Sequence, residues 1–182
     1  MKKIRSIIKN GGVAVLKTDT LYGIVGLAKD EKVVNRIYNI KKRNILKPVV
    51  VLISHLEEIE KLGIHLSEKF KDITKIHWPG KVSIIVSAPE SVNLHYLHKG
   101  TGGIAFRIPD DKNLLELLRE TGPLVAPSAN PEGLDPAKNI KEAMEYFGDK
   151  VDFYEDRGQC HTDKPSKIIR VTEDFYVEII RE

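Results

Sequence analysis

Short runs of apolar, mainly β-branched residues recur along the chain, separated by amphipathic or polar stretches. Runs of this length that end in polar residues are typical of buried strands, as in 13–16, which leads into Lys17-Thr18-Asp19-Thr20. By this pattern the predicted strands are 13–16, 49–53, 82–86, 103–108, 124–126, 151–154, 166–171 and 175–180. The last two, joined by residues 172–174, are expected to form an antiparallel hairpin.

Apolar residues three and four positions apart predict helices between several of these strands, including one over 67–77. Two of the expected starts stand three residues before a glutamate, the spacing of a capping box. The expected N-caps are Asp30, Ser54, Asp110 and Asn139, and the expected stops of two helices are Gly63 and Gly148. Because helices alternate with strands before the chain closes with antiparallel pieces, the sequence predicts an α/β protein with a mixed sheet.

Length and composition agree with one globular unit. A chain of 182 residues is expected to fold as a single domain over 1–182. Hydrophobic residues make up 41% and charged residues 30%, which is typical of soluble proteins. No apolar run approaches the roughly 20 residues that span a bilayer, and the basic N-terminus lacks the apolar core of a signal peptide. We therefore expect a cytoplasmic protein that does not enter a membrane.

Several classes of site are excluded by particular residues. Cys160 is the only cysteine, so the chain builds neither an internal disulfide nor a multi-cysteine zinc site. Leu16 stands where a phosphate-binding P-loop needs a glycine before its lysine. His95 and His98 lack a third ligand, so no metal site is predicted. The net charge of +3 is far from the strongly basic balance of many nucleic-acid-binding proteins.

Lys41 and Arg43 place fixed positive charge at the end of the helix that Asp30 begins. One interpretation is that they complement the negative end of the helix dipole. The other is that they bind phosphates, for which Arg offers a rigid fork and Lys a mobile point charge. Because residues two apart do not lie side by side on a helix, both can reach one ligand only if the helix has ended by Lys42.

Three further segments carry polar groups at or near strand ends, where α/β proteins place ligands. Ser128 and Asn130 supply a hydroxyl and an amide, and Thr20 supplies a second hydroxyl or simply satisfies a turn. Arg107 lies in an otherwise apolar strand, so its guanidinium needs an anionic partner. That partner is either a substrate carboxylate or a buried protein carboxylate, and the sequence leaves both open.

Four motifs together resemble the YrdC family, whose members make threonylcarbamoyl-adenylate. They are the segment from Lys17 to Gly23, the Lys41-x-Arg43 element, Trp78-Pro79-Gly80, and the Ser128-x-Asn130 element. The resemblance runs from about Gly11 to the last residues. It implies a YrdC-like fold, in which a twisted mixed sheet with flanking helices surrounds a concave ligand cavity.

The resemblance also implies a role for particular residues. The implied catalytic pair is Lys41 and Arg43; the implied ATP-binding residues are Arg43, Lys47, Ser128, Asn130, Pro136 and Arg181; the implied threonine-binding residues are Thr20, Arg107, Ala126 and Ser166. The chain departs from the family pattern at Lys17, Lys81 and Lys167. These departures leave the electrostatics of the threonine side open.

The implied activity joins L-threonine, bicarbonate and ATP into threonylcarbamoyl-adenylate and pyrophosphate, with Mg²⁺ carried on the ATP phosphates. A separate transferase would then modify tRNA, to which this chain itself is expected to bind weakly at most. The alternatives are an RNA-binding module, a carbamoyl-handling domain of the kind found in hydrogenase-maturation proteins, and a paralogue of another activity. Low aromatic content argues against the RNA-binding module.

Overall fold

The computed structural model describes residues 2–172 and 174–182. Within these residues, strands form a nine-stranded sheet in the order β7-β1-β2-β6-β3-β5-β4-β8-β9. The strands are β1 Ala14–Lys17, β2 Tyr22–Leu27, β3 Val50–Leu52, β4 Val82–Ser87, β5 Gly103–Arg107, β6 Leu124–Val125, β7 Phe153–Tyr154, β8 Lys167–Val171 and β9 Val177–Arg181. The pairs β1–β7, β3–β5 and β4–β8 are parallel and the others are antiparallel, which confirms the predicted mixed sheet.

Helices cover both faces of the sheet. They are α1 Lys2–Lys9, α2 Glu31–Lys41, α3 Glu57–Glu60, α4 Glu68–His77, α5 His95–His98, α6 Lys112–Thr121 and α7 Ile140–Phe147, followed by a 3-10 turn at Gly148–Lys150. In the part of the chain that the structure describes, no helix is both long and apolar enough to cross a membrane.

Two caps follow the sequence prediction. Asp30 accepts hydrogen bonds from the amides of Lys32 and Val33 at the start of α2, and Asn139 accepts one from the amide of Glu142 at the start of α7. Each satisfies amide donors that the first helical turn leaves free. The helices thus begin where the polar side chains predict.

Two other predicted caps are wrong. The cap of α6 is Asp111, which accepts from the amide of Leu114, whereas the amide of Asp110 donates to the side chain of Asp19. Ser54 does not form a capping box with Glu57. Its amide donates instead to the carboxylate of Glu58, and α3 has no side-chain cap.

The strand β2 and the helices α1 and α5 were not predicted. Glycines interrupt the β-branched pattern of β2, and Gly26 is required there, because a Cβ would lie 2.4 Å from Cγ1 of Val33 on α2. Gly26 therefore allows α2 to approach the sheet closely. The same glycine interrupts the β-branched pattern from which a strand would be predicted. The hairpin of β8 and β9 is confirmed, although Glu173 of its predicted turn lies outside the described residues.

The core has two parts, one on each side of the sheet. One joins α2 and its neighbours to residues such as Val51, Ile84 and Phe106, and the other joins α1 and α6 to residues such as Leu52 and Leu124. Burial of these apolar faces supplies the main favourable free energy of folding. The helices packed on both faces thereby hold the strands in place, and with them the strand ends that carry the polar motifs.

Candidate active site

A cavity of about 180 Å³ lies where the turn after β1, the ends of β5 and β6, the segment after α2 and the hairpin of β8 and β9 meet. It is lined by Thr18, Thr20, Leu21, Tyr22, Gly23, Arg43, Pro48, Val49, Val50, Arg107, Ala126, Pro127, Ser128, Pro165, Ser166, Ile168 and Arg181. The cavity thus brings together seven predicted site residues from distant parts of the chain. These are Thr20, Arg43, Arg107, Ala126, Ser128, Ser166 and Arg181.

The lining carries three guanidinium groups. It contains Arg43, Arg107 and Arg181, and none of the described residues that line it is acidic. Burial lowers the pKa of Arg181, and the charges of the other two arginines lower it further. Like charges held this close indicate a site built for an anion, which would relieve their repulsion.

Arg107 forms a buried ion pair with Asp19, from the turn after β1. The distance between Nη1 and Oδ1 is 2.5 Å, and both side chains are 4% exposed. Of the two alternatives that the sequence left open, the structure contains the buried protein carboxylate. Burial lowers the pKa of Arg107, while the charge of Asp19 opposes this shift.

The pair leaves part of the Arg107 guanidinium free. Its Nε has no hydrogen-bond partner among the described residues, and its Nη2 makes only a 3.5 Å contact with Oγ1 of Thr20. A buried donor without a partner is costly. Arg107 lines the cavity, so its guanidinium has donor capacity to offer an anion bound there, although Nε itself is fully buried.

Arg43 enters the cavity because α2 ends just before it. Lys42 adopts a left-handed conformation with φ of 50°, which confirms that the helix has ended by this residue. The Nη2 of Arg43 donates to the carbonyl of Pro48 at 2.8 Å. Its Nε has no partner among the described residues, so this guanidinium also keeps donor capacity for a ligand.

Lys41 is directed elsewhere, and it does not line the cavity. Its Nζ donates to the backbone carbonyls of Ser128 and Asn130, both at 2.5 Å, and its side chain is 2% exposed. Desolvation, reinforced by the charge of Arg43, lowers its pKa to about 7. Lys41 therefore holds the loop that presents Ser128, and its predicted catalytic role stays a prediction.

Asn130 is engaged within the same loop. Its Oδ1 accepts from Oγ of Ser128 at 2.6 Å, and its Nδ2 donates to the carbonyls of Pro131 and Leu134 at 3.0 and 2.6 Å. Ser128 faces the cavity while Asn130 does not. The amide therefore orients the hydroxyl, whereas direct contact between Asn130 and a nucleotide stays a prediction.

Two more predicted ATP-binding residues lie outside the lining. The ammonium of Lys47 pairs with the carboxylate of Glu132 at the surface. Pro136 lines a separate cavity of about 210 Å³, which borders Leu21. Leu21 also lines the arginine-rich cavity, so the two spaces are neighbours.

The far wall of the cavity is formed by Ser166 and Arg181. The Oγ of Ser166 lies 2.9 Å from Oγ of Ser83, and Nη2 of Arg181 donates to the carbonyl of Ser166 at 2.6 Å. This contact fixes the C-terminal arginine toward the cavity.

The three departures from the family pattern, Lys17, Lys81 and Lys167, do not line this cavity. Lys17, for example, donates to the carbonyl of Gln159 at 2.8 Å. Their positive charges therefore act on a ligand in the cavity only from a distance.

Among the polar residues of the site, sequence reasoning missed Thr18, which lines the cavity, and Asp19, which pairs with Arg107. Both lie in the motif that contains Thr20, and the buried arginine in β5 was itself a signal that a carboxylate must lie nearby. The partner is Asp19, which contacts Arg107 although the two residues are 88 positions apart in the sequence. No local pattern reports such a contact.

Fold and cavity together define an α/β protein with an arginine-lined cavity at the ends of its sheet strands. A family model described as telomere recombination, which covers the Sua5, YciO and YrdC proteins, matches residues 6–182. The chain therefore belongs to the Sua5/YciO/YrdC family, and the resemblance seen in the sequence is confirmed.

Two curated relatives illustrate what the chain is similar to. A Methanocaldococcus jannaschii protein is 34% identical over 186 residues, covering 98% of this chain and 85% of the relative, and provisionally bears the name threonylcarbamoyl-AMP synthase. A Pyrococcus abyssi protein with the full name threonylcarbamoyl-AMP synthase is 29% identical over 91% of this chain and 49% of its own length.

Solved structures show the same fold. The crystal structure of Pyrococcus abyssi Sua5 complexed with L-threonine matches 99% of this chain with a TM-score of 0.89 and 27% identity. This chain spans about half of that protein, with 53% covered. The crystal structure of Escherichia coli YciO matches 99% of this chain with a TM-score of 0.82 at 22% identity, and it supports the fold alone.

Proposed function

We propose that this protein is a threonylcarbamoyl-AMP synthase, which converts L-threonine, bicarbonate and ATP into threonylcarbamoyl-adenylate and pyrophosphate. The observation that carries the proposal is the cavity lined by Arg43, Arg107 and Arg181, with hydroxyl groups and no acidic lining residue in the described parts of the chain. The threonine carboxylate, bicarbonate and the ATP polyphosphate are the anions that the reaction must hold. The names of the curated relatives and the threonine complex of Pyrococcus abyssi Sua5 support the same assignment.

Threonine is assigned to the Arg107 side of the cavity. Its carboxylate would accept from Nη2 of Arg107, and a shift of this side chain would add the buried, unpartnered Nε to give the bidentate geometry for which guanidinium groups are suited. Thr20 lies beside that fork, with Oγ1 at 3.5 Å from Nη2. Ala126 also lines the cavity, and Ser166, whose carbonyl accepts from Arg181, would stand between threonine and the ATP phosphates.

The ATP phosphates are assigned to Arg43 and Arg181. These groups lie on the α2 and hairpin sides of the same cavity, so both substrates share one enclosed space. Ser128 donates its hydroxyl proton to Oδ1 of Asn130, so it can contact ATP only as an acceptor. The nearby Asn130 and Lys41 would act by holding the loop of Ser128. Lys47 and Pro136 would contribute only where ATP extends beyond the cavity.

The reaction requires no protein nucleophile. The threonine nitrogen attacks the carbon of bicarbonate or carbon dioxide to give a carbamate, with loss of a proton and, from bicarbonate, of hydroxide. A carbamate oxygen then attacks the α-phosphorus of ATP, and pyrophosphate leaves. The protein would bring the reactants together and neutralise charge, which can supply most of the rate enhancement.

Mg²⁺ would enter as part of the ATP substrate. The side chains that line the cavity offer hydroxyl and guanidinium groups, and the neighbouring carboxylate, Asp19, is already bound to Arg107. Magnesium is commonly held by nucleotide phosphates and water. Its expected contribution is to offset phosphate charge.

The adenylate would be consumed by a separate transferase that moves the threonylcarbamoyl group to tRNA. Since ATP, threonine and tRNA are then all required in one compartment, we assign the reaction to the cytoplasm. The mild net charge of +3 favours at most weak, salt-sensitive contact between this protein and tRNA.

The test is pyrophosphate release measured with all substrates and with each one omitted. Full activity should require ATP, L-threonine and bicarbonate together. A matched control is Arg119→Ala, which removes an exposed arginine of α6 outside the cavity and should keep normal activity. Pyrophosphate release that is independent of threonine would contradict the proposal.

A further inference from the structure

The hydroxyl of Thr18 lies beneath the Thr20 side chain in the turn between β1 and β2. Its Oγ1 lies 2.7 Å from the carbonyl oxygen of Leu21 and 3.1 Å from Oγ1 of Thr20. A carbonyl oxygen only accepts hydrogen bonds. The single hydroxyl proton of Thr18 is therefore directed at Leu21.

This accounting fixes the direction of the second hydrogen bond. Since Thr18 has no proton left, Thr20 must be the donor between the two hydroxyls, and Oγ1 of Thr18 also accepts from the amide of Thr20 at 3.1 Å. On the other side of Thr20 lies Arg107, at 3.5 Å, which can only donate. Both neighbours thus leave Oγ1 of Thr20 as an acceptor.

We infer that Thr18 is a positioning residue, which makes the Thr20 hydroxyl an acceptor for the amino group of the substrate. Thr20 is 7% exposed and lines the cavity, so its remaining lone pair is available to a ligand. An acceptor at this point selects an N–H donor and disfavours an oxyanion. Beside the guanidinium of Arg107, it completes a site for an α-amino acid, with carboxylate and amine on adjacent partners.

The inference rests on the proposed function and adds an orienting role to it. A carbamate forms only when the nitrogen lone pair faces the carbon that it attacks. An N–H bond directed to Thr20 would restrict rotation of the amine about the Cα–N bond. Although Thr18 itself lines the cavity, its contribution to the reaction would then be made through Thr20.

The test compares two ligands on three proteins. The ligands are L-threonine and 3-hydroxybutyrate, which lacks the amino group, and the proteins are the natural chain, Thr18→Val and Thr18→Ser. Calorimetric titration measures the dissociation constant of each ligand. In the natural chain and in Thr18→Ser, L-threonine should bind more tightly than 3-hydroxybutyrate, and this ratio should fall about tenfold in Thr18→Val, because the Thr20 hydroxyl can then turn its proton toward the ligand.

A merely structural role for Thr18 would weaken both ligands equally and leave the ratio unchanged, which would overturn the inference. Should Thr18→Val fail to fold, as judged by circular dichroism, Thr18→Cys provides the same comparison, because its sulfur is only a weak acceptor for the Thr20 hydroxyl. Unchanged ratios in a protein that releases pyrophosphate in a threonine-dependent manner would overturn this inference alone. Absence of threonine binding by the natural chain would overturn the proposed function as well.

Discussion

Replacing Lys41 by Met should change how the stability of this protein depends on pH. Lys41 is 2% exposed, and desolvation lowers its pKa from 10.5 to about 7 in the folded protein. Between these pH values the unfolded chain binds the proton and the folded chain does not. The free energy of unfolding must therefore rise with pH across this range.

The magnitude follows from the size of the shift. At about 1.4 kcal/mol per pKa unit, a shift from 10.5 to about 7 corresponds to a penalty of about 5 kcal/mol below pH 7, where the lysine is charged in both states. Raising the pH from 7 to 9 should relieve about 2 kcal/mol of it. In Lys41→Met this contribution is absent, although the variant loses the hydrogen bonds to the loop carbonyls.

The assay is denaturant unfolding of both proteins at pH 7 and pH 9. The free energy of unfolding of the natural chain should gain about 2 kcal/mol relative to Lys41→Met between these values. Lys42→Met, which alters the exposed neighbouring lysine, is the control and should track the natural chain. An equal pH dependence of the natural chain and Lys41→Met would refute the reasoning, because Lys41 would then carry its ordinary pKa.

Other predictions concern the cavity. Arg43→Ala should lower the rate of pyrophosphate release about 100-fold or more while the fold is kept, because a preorganised charge facing the phosphates is lost; normal release would show that Arg43 does not face ATP. Asp19→Ala should destabilise the protein by about 3–5 kcal/mol in urea unfolding, since it leaves Arg107 buried without its partner; a change below 1 kcal/mol would contradict the burial of that pair. L-Serine should be a poor substrate rather than an inert one, because a single methyl group is worth roughly 1–3 kcal/mol in specificity, and equal kcat/KM values would exclude a methyl-binding niche. Binding of tRNA, measured by titration at increasing salt, should be weak and fall steeply with ionic strength, whereas tight, salt-resistant binding would favour the RNA-binding alternative.

Local patterns predicted most elements of this fold because the signals are carried by adjacent residues. The run 13–16 became β1 and Asp30 became the cap of α2, since apolar spacing and a free carboxylate act within one turn or strand. The helix α6 began one residue later than expected, at the cap Asp111. The amide of the preceding residue, Asp110, donates to the side chain of Asp19. The residues near the helix do not predict this long-range contact.

The candidate site was predictable in its residue types and less so in its geometry. An arginine in an apolar strand indicated that a carboxylate lies nearby. The family resemblance predicted Thr20, Ser128 and Arg181 as site residues, and all three line the cavity. The spacing of Lys41 and Arg43 correctly required the helix to end between them. It could not show that the lysine turns onto the carbonyls of a loop almost 90 positions away, since tertiary packing decides that direction.

The most direct test of the central claim is to identify the product. The protein is incubated with ATP, Mg²⁺, L-threonine and isotopically labelled bicarbonate, and the reaction is analysed by liquid chromatography and mass spectrometry together with pyrophosphate release. The account predicts one adduct that contains AMP, threonine and the labelled carbon, formed in equal amount to pyrophosphate. An adduct of AMP and threonine without the labelled carbon, or pyrophosphate without any adduct, would contradict it.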